Sequence, residues 1–542
     1  MKKGFLKSLS DSKNVKYTSI NIAFCAIVIA IVMVLNGMVT IFSEKYKWQL
    51  DMTDEGLFTM SEQMETAVKE LFDKRDVEIE IIFAKDKDEI SDKFEISSTS
   101  GAIGYVHATA EQLSLKFPDN VTLSYHDIEE EYTFFKNNFY SDSGTSLSQN
   151  VIIIARKNAD GTYGEYRVFH YNAFYGSDSS GGLYAYNGEM LFTSSILGLA
   201  LDESPTVYFT WQHNETSFKS WTDESKPVDY LTIETSEDIN TDARELIRIF
   251  AQSGFEVRPI DLATQDIPDN ARCIVINKPK YDFTEAETKK LVDYFKDSGT
   301  IFCFTEYNID LPNLYECAEA NFGVTVKPLG ITENPIKDPA TVLANSTPYT
   351  IRAYVPNNTA ANNYFRTLKD VASAKAIIEN ANVIDIDERY LSDSGYQEGE
   401  FGKFVKPILV TSETAELNGK KGVYNLVTVT AAAETDVNGS YNGITKEKYS
   451  YFLMCPNDGF TSNQNLLSSA NANRDMMMAL VHTLAAKEDT PSLVDIDFKV
   501  FVNYSLDITA REANIVTVVM ATVLPLAFVI TGAVIIRRRK LR

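Results

Sequence analysis

Residues 271–305 read ARCIVINKPKYDFTEAETKKLVDYFKDSGTIFCFT. Two apolar runs, Cys273 to Asn277 and Ile301 to Thr305, bracket an amphipathic stretch. Short continuous apolar runs are the pattern of strands covered on both faces. Between them, Thr284 with Glu287 three residues on forms a capping box. It opens a helix through Leu291, Val292 and Phe295 that stops at Gly299. Strand, helix and strand in so short a span make a βαβ unit, which requires parallel strands. The same alternation extends upstream. Val207 to Thr210 reads as a strand, 242–253 as a helix with Leu246, Ile247, Ile249 and Phe250 on its buried side, and Glu256 to Leu262 as a strand after Gly254. Downstream, Leu311 to Asn321 reads as a helix ended by Gly323. The expectation is a doubly wound α/β domain over 206–486. Its pattern lapses near 331–400, where Pro335, Pro339, Pro348 and Pro356 suggest an insertion. Strands return at Pro407 to Thr411, Val423 to Ala431 and Ser450 to Met454, followed by a helix over 474–486.

Residues 77–205 predict a separate, smaller α/β domain. Val77 to Phe83 alternates as a strand, 104–116 reads as a helix, Val121 to Tyr125 as a second strand and Val151 to Ala155 as a third. The turn Asn158-Ala-Asp-Gly161 leads into a hairpin partner over Tyr166 to Tyr171, and a helix follows over 188–201. That order is thioredoxin-like, but no C-x-x-C is present, so thioredoxin-type redox chemistry is excluded. Ahead of it, 43–76 forms a linker and an amphipathic helix. Thr59 with Glu62 makes its capping box, and Met64, Ala67, Val68, Leu71 and Phe72 share one face.

The chain of 542 residues carries a formal charge of −24. The charge is unevenly spread. Residues 1–19 hold five Lys against one Asp, and 537–542 hold four Arg and one Lys. Between these tips stand 41 basic against 74 acidic residues, or −33. Such a surface excludes nucleic acid as a partner, since phosphate binding needs clustered Lys and Arg. Inside each basic tip lies a charge-free apolar run, 20–42 and 515–536, each long enough to cross about 30 Å of hydrocarbon as a helix. Basic flanks stay cytoplasmic. The expectation is therefore two transmembrane helices in the cell membrane, both tails (1–19 and 537–542) cytoplasmic, and residues 43–514 extracytoplasmic, with a strand and linker over 487–514. The five Cys form no disulfide framework and no C-x-x-C, so they read as reduced core thiols.

The search for chemistry returns little. Neither GxxxxGK[ST] nor GxGxxG occurs, so no phosphate cradle is visible, and HExxH and the G-x-S-x-G elbow are absent. No metal site, cofactor or catalytic residue is predicted. The acidic clusters Glu129-Glu130-Glu131 and Asp385, Asp387, Glu388 lack a D-x-D-x-D-G loop and read as solvated surface. One group stands out: Trp211, Gln212, His213, Asn214 and Glu215 follow the first strand of the doubly wound domain. Ligands of open α/β sheets bind beyond the carboxyl ends of strands. Trp211 could stack on a ring, and Glu215 could accept a proton. The same residues read more readily as a loop whose polar groups satisfy nearby backbone.

Several pieces, in order, resemble one family. The stretch from Leu50 to Glu62, LDMTDEGLFTMSE, resembles the opening of the gliding-motility-type ABC transporter auxiliary proteins. Val207 to Glu215 resembles that family's strand followed by "GHGE", with Gln212 and Asn214 in place of the two glycines. Gly254-Phe-Glu-Val, Ile260-Asp-Leu-Ala, Ile274 to Pro279 and Phe283-Thr-Glu-Ala-Glu resemble its second block, Asn473-Arg-Asp-Met-Met-Met its late helix, and Pro525 with the Arg tail its end. The resemblance implies an amidotransferase-like, Rossmann-like second domain without catalytic apparatus. It further implies a non-enzymatic auxiliary subunit of a bacterial ABC-2-type transporter, partnered with a separate ATPase, a permease and the lipid bilayer. A homo-oligomer is compatible with it. The alternatives are a membrane-anchored surface enzyme acting on glycans through Glu215 and His213, or an adhesion or sensor ectodomain.

Overall fold

The computed structural model describes residues 51–501 with interruptions, the longest lying within 91–102, 140–146, 328–334, 435–448 and 486–498, together with scattered positions at 24–38 and 532–538. The chain is mixed α/β and rich in sheet. Its first sheet comprises β1 (Glu78–Phe83), β2 (Val121–Tyr125), β3 (Val151–Lys157) and β4 (Tyr163–His170), in the order β2-β1-β3-β4. β1 runs parallel to β2 and antiparallel to β3, and β4 pairs antiparallel with β3. A short hairpin of β5 (Tyr175–Ser177) and β6 (Leu183–Tyr186) follows.

The large sheet takes its strands from β7 (Thr206–Thr210), β8 (Glu256–Ile260), β9 (Ala271–Asn277), β10 (Thr300–Thr305), β11 (Val324–Lys327), β12 (Thr350–Tyr354), β13 (Lys375–Glu379), β14 (Val383–Ile386), β15 (Tyr396–Glu398) and β16 (Phe401–Val410). After a two-stranded hairpin, β17 (Glu416–Leu417) with β18 (Lys420–Lys421), it adds β19 (Asn425–Glu434) and β20 (Tyr449–Pro456). The main order is β13-β12-β16-β19-β20-β10-β9-β7-β8. From β20 to β8 all pairs are parallel, as the βαβ alternation requires. Beyond β20 the pairs turn antiparallel. The Pro-rich stretch expected to be an insertion supplies β12 and β13, which close that antiparallel edge. Their segments are short and irregularly spaced, so period alone does not reveal them.

The helices follow local chemistry. α1 (Glu62–Lys74) buries Met64, Val68 and Leu71. Its cap is Ser61, whose hydroxyl accepts from Met64 N, rather than Thr59. Thr59 is already committed, its Oγ1 donating to Asp51 Oδ2. α2 (Ile103–Lys116) packs beside β2. α3 (Gly188–Leu199) has every residue buried. α4 (Arg244–Gln252) ends where Gly254 takes φ +86°, and a Cβ there would meet the Ser194 backbone oxygen at 2.7 Å. That close approach seats α4 against α3, and Ser194 Oγ donates to Gln252 O. α5 (Glu285–Lys296) carries the capping box of Thr284 and Glu287. α6 (Asn473–Leu484) buries Met476, Met477, Leu480 and Val481. Four Cys, 273, 303, 317 and 455, are buried free thiols.

A buried clamp joins the two flanks of this region. Lys499, in β21 (Lys499–Val500), donates from Nζ to Gly56 O at 2.6 Å, Thr59 O at 2.7 Å and Glu189 Oε1 at 2.5 Å. Ser61 N donates to the same carboxylate. The loop it holds is itself folded around Asp51, which accepts from Thr53 N, Thr53 Oγ1, Phe58 N and Thr59 Oγ1. Burial raises the Asp51 pKa, but these donors outweigh it and hold the carboxyl below its ordinary value.

The two membrane-spanning helices do not stand. Among the described residues no helix is long and apolar enough to cross a membrane. The second apolar run, apart from Gly532 and Ile535, lies outside the described residues, as does most of 487–514. The transmembrane and cell-membrane assignment, with cytoplasmic tails and an extracytoplasmic 43–514, rested on those helices and is withdrawn with them.

Replacing Lys499 by Met leaves Glu189 as a buried, uncompensated charge. Urea unfolding should show a loss of about 3 kcal/mol. Adding Glu189→Gln in the same chain should recover part of that loss, because the orphaned charge disappears.

Candidate functional site

β7 is buried along its whole length, and its neighbours β8 and β9 lie on opposite sides of it. That reversal of strand order makes the carboxyl ends of β7 and β9 the topological switch point, where ligands of such sheets bind. The loop from Trp211 to Glu215 leaves β7 there, and Lys278 leaves β9 beside it.

The loop turns inward at alternate positions. His213 and Glu215 are buried, whereas Gln212 and Asn214 are exposed. Asn214 takes φ +55°, which its short polar side chain tolerates, so the glycine of the resembled motif is not needed for this turn. His213 N donates to Glu215 Oε2 at 2.7 Å. The imidazole Nδ1 lies 3.3 Å from Glu215 Oε1, and Nε2 lies 3.2 Å from Glu287 Oε1. One ring face stacks on Phe283 at 3.8 Å between centroids. Both nitrogens thus face carboxylates, and one face of the ring is covered. The Glu215 side chain is 0% exposed and that of Glu287 3%, so solvent does not reach the acids. Glu287 also caps α5, accepting from Thr284 N and Oγ1, each at 2.7 Å. His213 O accepts from Lys280 N and Tyr281 N, which fixes the loop after β9 to the loop after β7. Trp211 is half-buried, and its indole N–H does not join this group.

Burial pulls the His213 pKa down, but the hydrogen bonds and charges of Glu215 and Glu287 outweigh it and raise the pKa above 6.5. The arrangement favours imidazolium between two carboxylates. Such a ring donates from both nitrogens and holds no lone pair for accepting a proton.

Several other polar groups of the crevice pair within the chain, while Thr210 Oγ1, Trp211 Nε1 and Asn277 Oδ1 are buried without a hydrogen-bond partner. Lys278, buried and at φ +57°, sets Nζ 3.2 Å from Asp242 Oδ2. The other Asp242 oxygen accepts from Asn463 N. Asn277 Nδ2 donates to Ser217 Oγ, and Asn277 O accepts from Thr216 N. Across the sheet, Asp458 accepts from Tyr307 N and Asn380 Nδ2, and burial raises its pKa. Deeper, His482 Nε2 meets Ser253 Oγ at 3.0 Å, and burial lowers the His482 pKa to about 4. Among the described residues no group of His, Cys, Asp and Glu is placed to hold a metal ion. The two acidic clusters are divided among local partners: Glu131 pairs with His126, Asp385 with Lys327 and Asp387 with Arg389.

Of the five residues singled out in the loop, the structure brings His213 and Glu215 together and leaves Trp211, Gln212 and Asn214 apart. The missing participants are Phe283 and Glu287. The capping-box signal marks Glu287 as the start of a helix, but nothing in the sequence says that its second oxygen faces His213.

No family model matches the chain, and no curated protein matches it in sequence. Among solved structures it is similar to the mmIFT52 N-terminal domain, at 12% identity over 52% of this chain and 98% of that one, with a TM-score of 0.35. It is also similar to the exo-beta-1,4-mannosidase Op5Man5 from Opitutaceae bacterium strain TAV5, at 13% identity over 71% of this chain and 50% of that one, with a TM-score of 0.27. Likeness at that level carries no argument about fold or catalysis.

The raised His213 pKa makes a signed prediction. The stabilisation it gives is fully present below pH 6.5 and is lost as pH rises through the folded-state value. Urea unfolding of the wild type and of His213→Gln across pH 5.5 to 9 should show the gap between them narrowing as pH rises. A gap that is flat or widens with pH would mean that the ring is not held as imidazolium.

Proposed function

We propose that this chain is a non-catalytic auxiliary component of a bacterial ABC-2-type transporter, working with a separate ATPase and permease. The observation that carries the non-catalytic half is the state of the switch-point crevice. Where an enzyme of this topology would admit substrate, His213 is fixed between Glu215 and Glu287 against Phe283, and Lys278 is held by Asp242. His213, Glu215, Glu287 and Lys278 are each engaged by a partner from the same chain, whereas Thr210 Oγ1, Trp211 Nε1 and Asn277 Oδ1 are buried there without a hydrogen-bond partner. The transporter half is supported by the ordered resemblance of the segments around Asp51, Val207, Phe283 and Asn473. Two of these segments have definite structural work. The Asp51 loop is the one gripped by Lys499, and the Phe283 segment supplies the stacked ring and Glu287.

The alternative of a glycan-acting enzyme requires Glu215 to reach a sugar. Its side chain is fully enclosed, and both oxygens contact His213, which counts against that role.

Affinity purification of the tagged chain at native expression, under gentle extraction, should recover an ABC ATPase and a permease together. Repeated recovery without either would contradict the assignment. A hydrolytic activity lost in Glu215→Gln with folding intact would favour the enzyme.

A further inference from the structure

β2 ends the first sheet and is paired on one side only, with β1. Its sequence, VTLSY from Val121 to Tyr125, holds no charge and no proline. Its register with β1 is continuous from Ile79 opposite Val121 to Phe83 opposite Tyr125, so no bulge bends it away. All its residues after Val121 are part-exposed. A strand edge without charge, proline or bulge is a template for pairing with another strand.

The strands that end the two sheets elsewhere are guarded. β4 carries Glu165 and Arg167. β8 contains Glu256, Arg258 and Pro259, and Val228 N donates to Val257 O on its outer edge. β13 is closed by the start of α6. Asn473 Oδ1 accepts from Ile377 N, Asn473 Nδ2 donates to Ile377 O, and Ala472 N donates to Lys375 O.

Two bonds fix which groups of β2 face outward. Ile79 N donates to Asn120 O, and His126 N donates to Phe83 O. Directions alternate along a strand, so Thr122 and Ser124 turn their backbone groups to β1, and Leu123 and Tyr125 turn theirs outward. Val121 N is taken, donating to Phe117 O, which leaves its carbonyl.

We propose that β2 pairs antiparallel with β2 of a second copy of this chain, about a two-fold axis through Leu123. The axis sets Leu123 opposite Leu123, Val121 opposite Tyr125 and Thr122 opposite Ser124. Each Leu123 N donates to the other copy's Leu123 O, and each Tyr125 N to the other copy's Val121 O. Aromatic and β-branched side chains opposite one another favour such pairing, and a strand without charge brings no like charges together in a chain of −24. Thr122 Oγ1 and Ser124 Oγ have no hydrogen-bond partner within the chain. In this register they face each other in a non-hydrogen-bonded pair, where side chains approach most closely. One sequence thus supplies both halves of every pair, which selects a second copy over an unrelated strand.

Sedimentation equilibrium of the full chain over a concentration series tests this. The strand has only five residues, so the interface is small and the dissociation constant should lie in the micromolar range. Leu123→Lys sets like charges face to face on the axis and should leave single chains. Leu123→Glu should do the same, and an equimolar mixture of the two variants should restore the pair, since Lys then faces Glu. A wild type that stays single throughout the micromolar range would overturn the proposal. So would association that survives in folded Leu123→Lys, because it would run through another surface. If the Leu123 variants do not fold, amide exchange in the wild type decides. Exchange at Leu123 and Tyr125 should slow as concentration rises, and exchange independent of concentration would overturn the pairing.

Discussion

The structure depends on a helix with no exposed face. α3 is buried along all its residues, and at its first turn it carries a carboxylate, Glu189, into the interior. A buried carboxylate is tolerated only with a counter-charge and hydrogen bonds. Lys499 supplies the charge from the far end of the described chain, and Ser61 N supplies a donor from its start. The same ammonium satisfies two carbonyls of the Asp51 loop. One ion pair therefore fixes both flanks on the helix, while α3 itself contacts α1, α2, β3, β4 and α4. Farther along α3, Ser194 fastens it to the end of α4, where Gly254 alone permits the approach.

The same economy governs the switch point. A parallel sheet leaves a polar crevice at the carboxyl ends of its strands, and buried polar groups there need partners. Here most of the partners come from within, although Thr210 Oγ1, Trp211 Nε1 and Asn277 Oδ1 have none. His213 serves two acids, Lys278 an aspartate, and Asn277 a serine.

Much of this was legible in the sequence where period and punctuation agree. The strands at 207–210, 273–277 and 301–305, the capping box at Thr284 and the stop at Gly254 all lie where apolar runs and end signals place them. The strands β12 and β13 were not legible, because prolines and asparagines break the period on which the inference depends. The N-cap at Ser61 was misplaced by two residues because Thr59 and Ser61 are both good caps, and only the Asp51 loop decides between them. The apolar runs near the termini read as two spans from composition, but among the described residues no helix is long and apolar enough to cross a membrane. At the candidate site, His213 and Glu215 are visible as neighbours, but Glu287 lies 72 positions further on, and nothing local reports that contact.

The central claim is that Glu215 and Glu287 stabilise His213 as imidazolium in the switch-point loop. Its most direct test is the NMR titration of the His213 imidazole in the intact chain. The account predicts a pKa above the ordinary 6.5, with protons on both ring nitrogens at pH values below it. A pKa at or below 6.5, leaving a neutral ring with a nitrogen ready to accept a proton near pH 7, would contradict it.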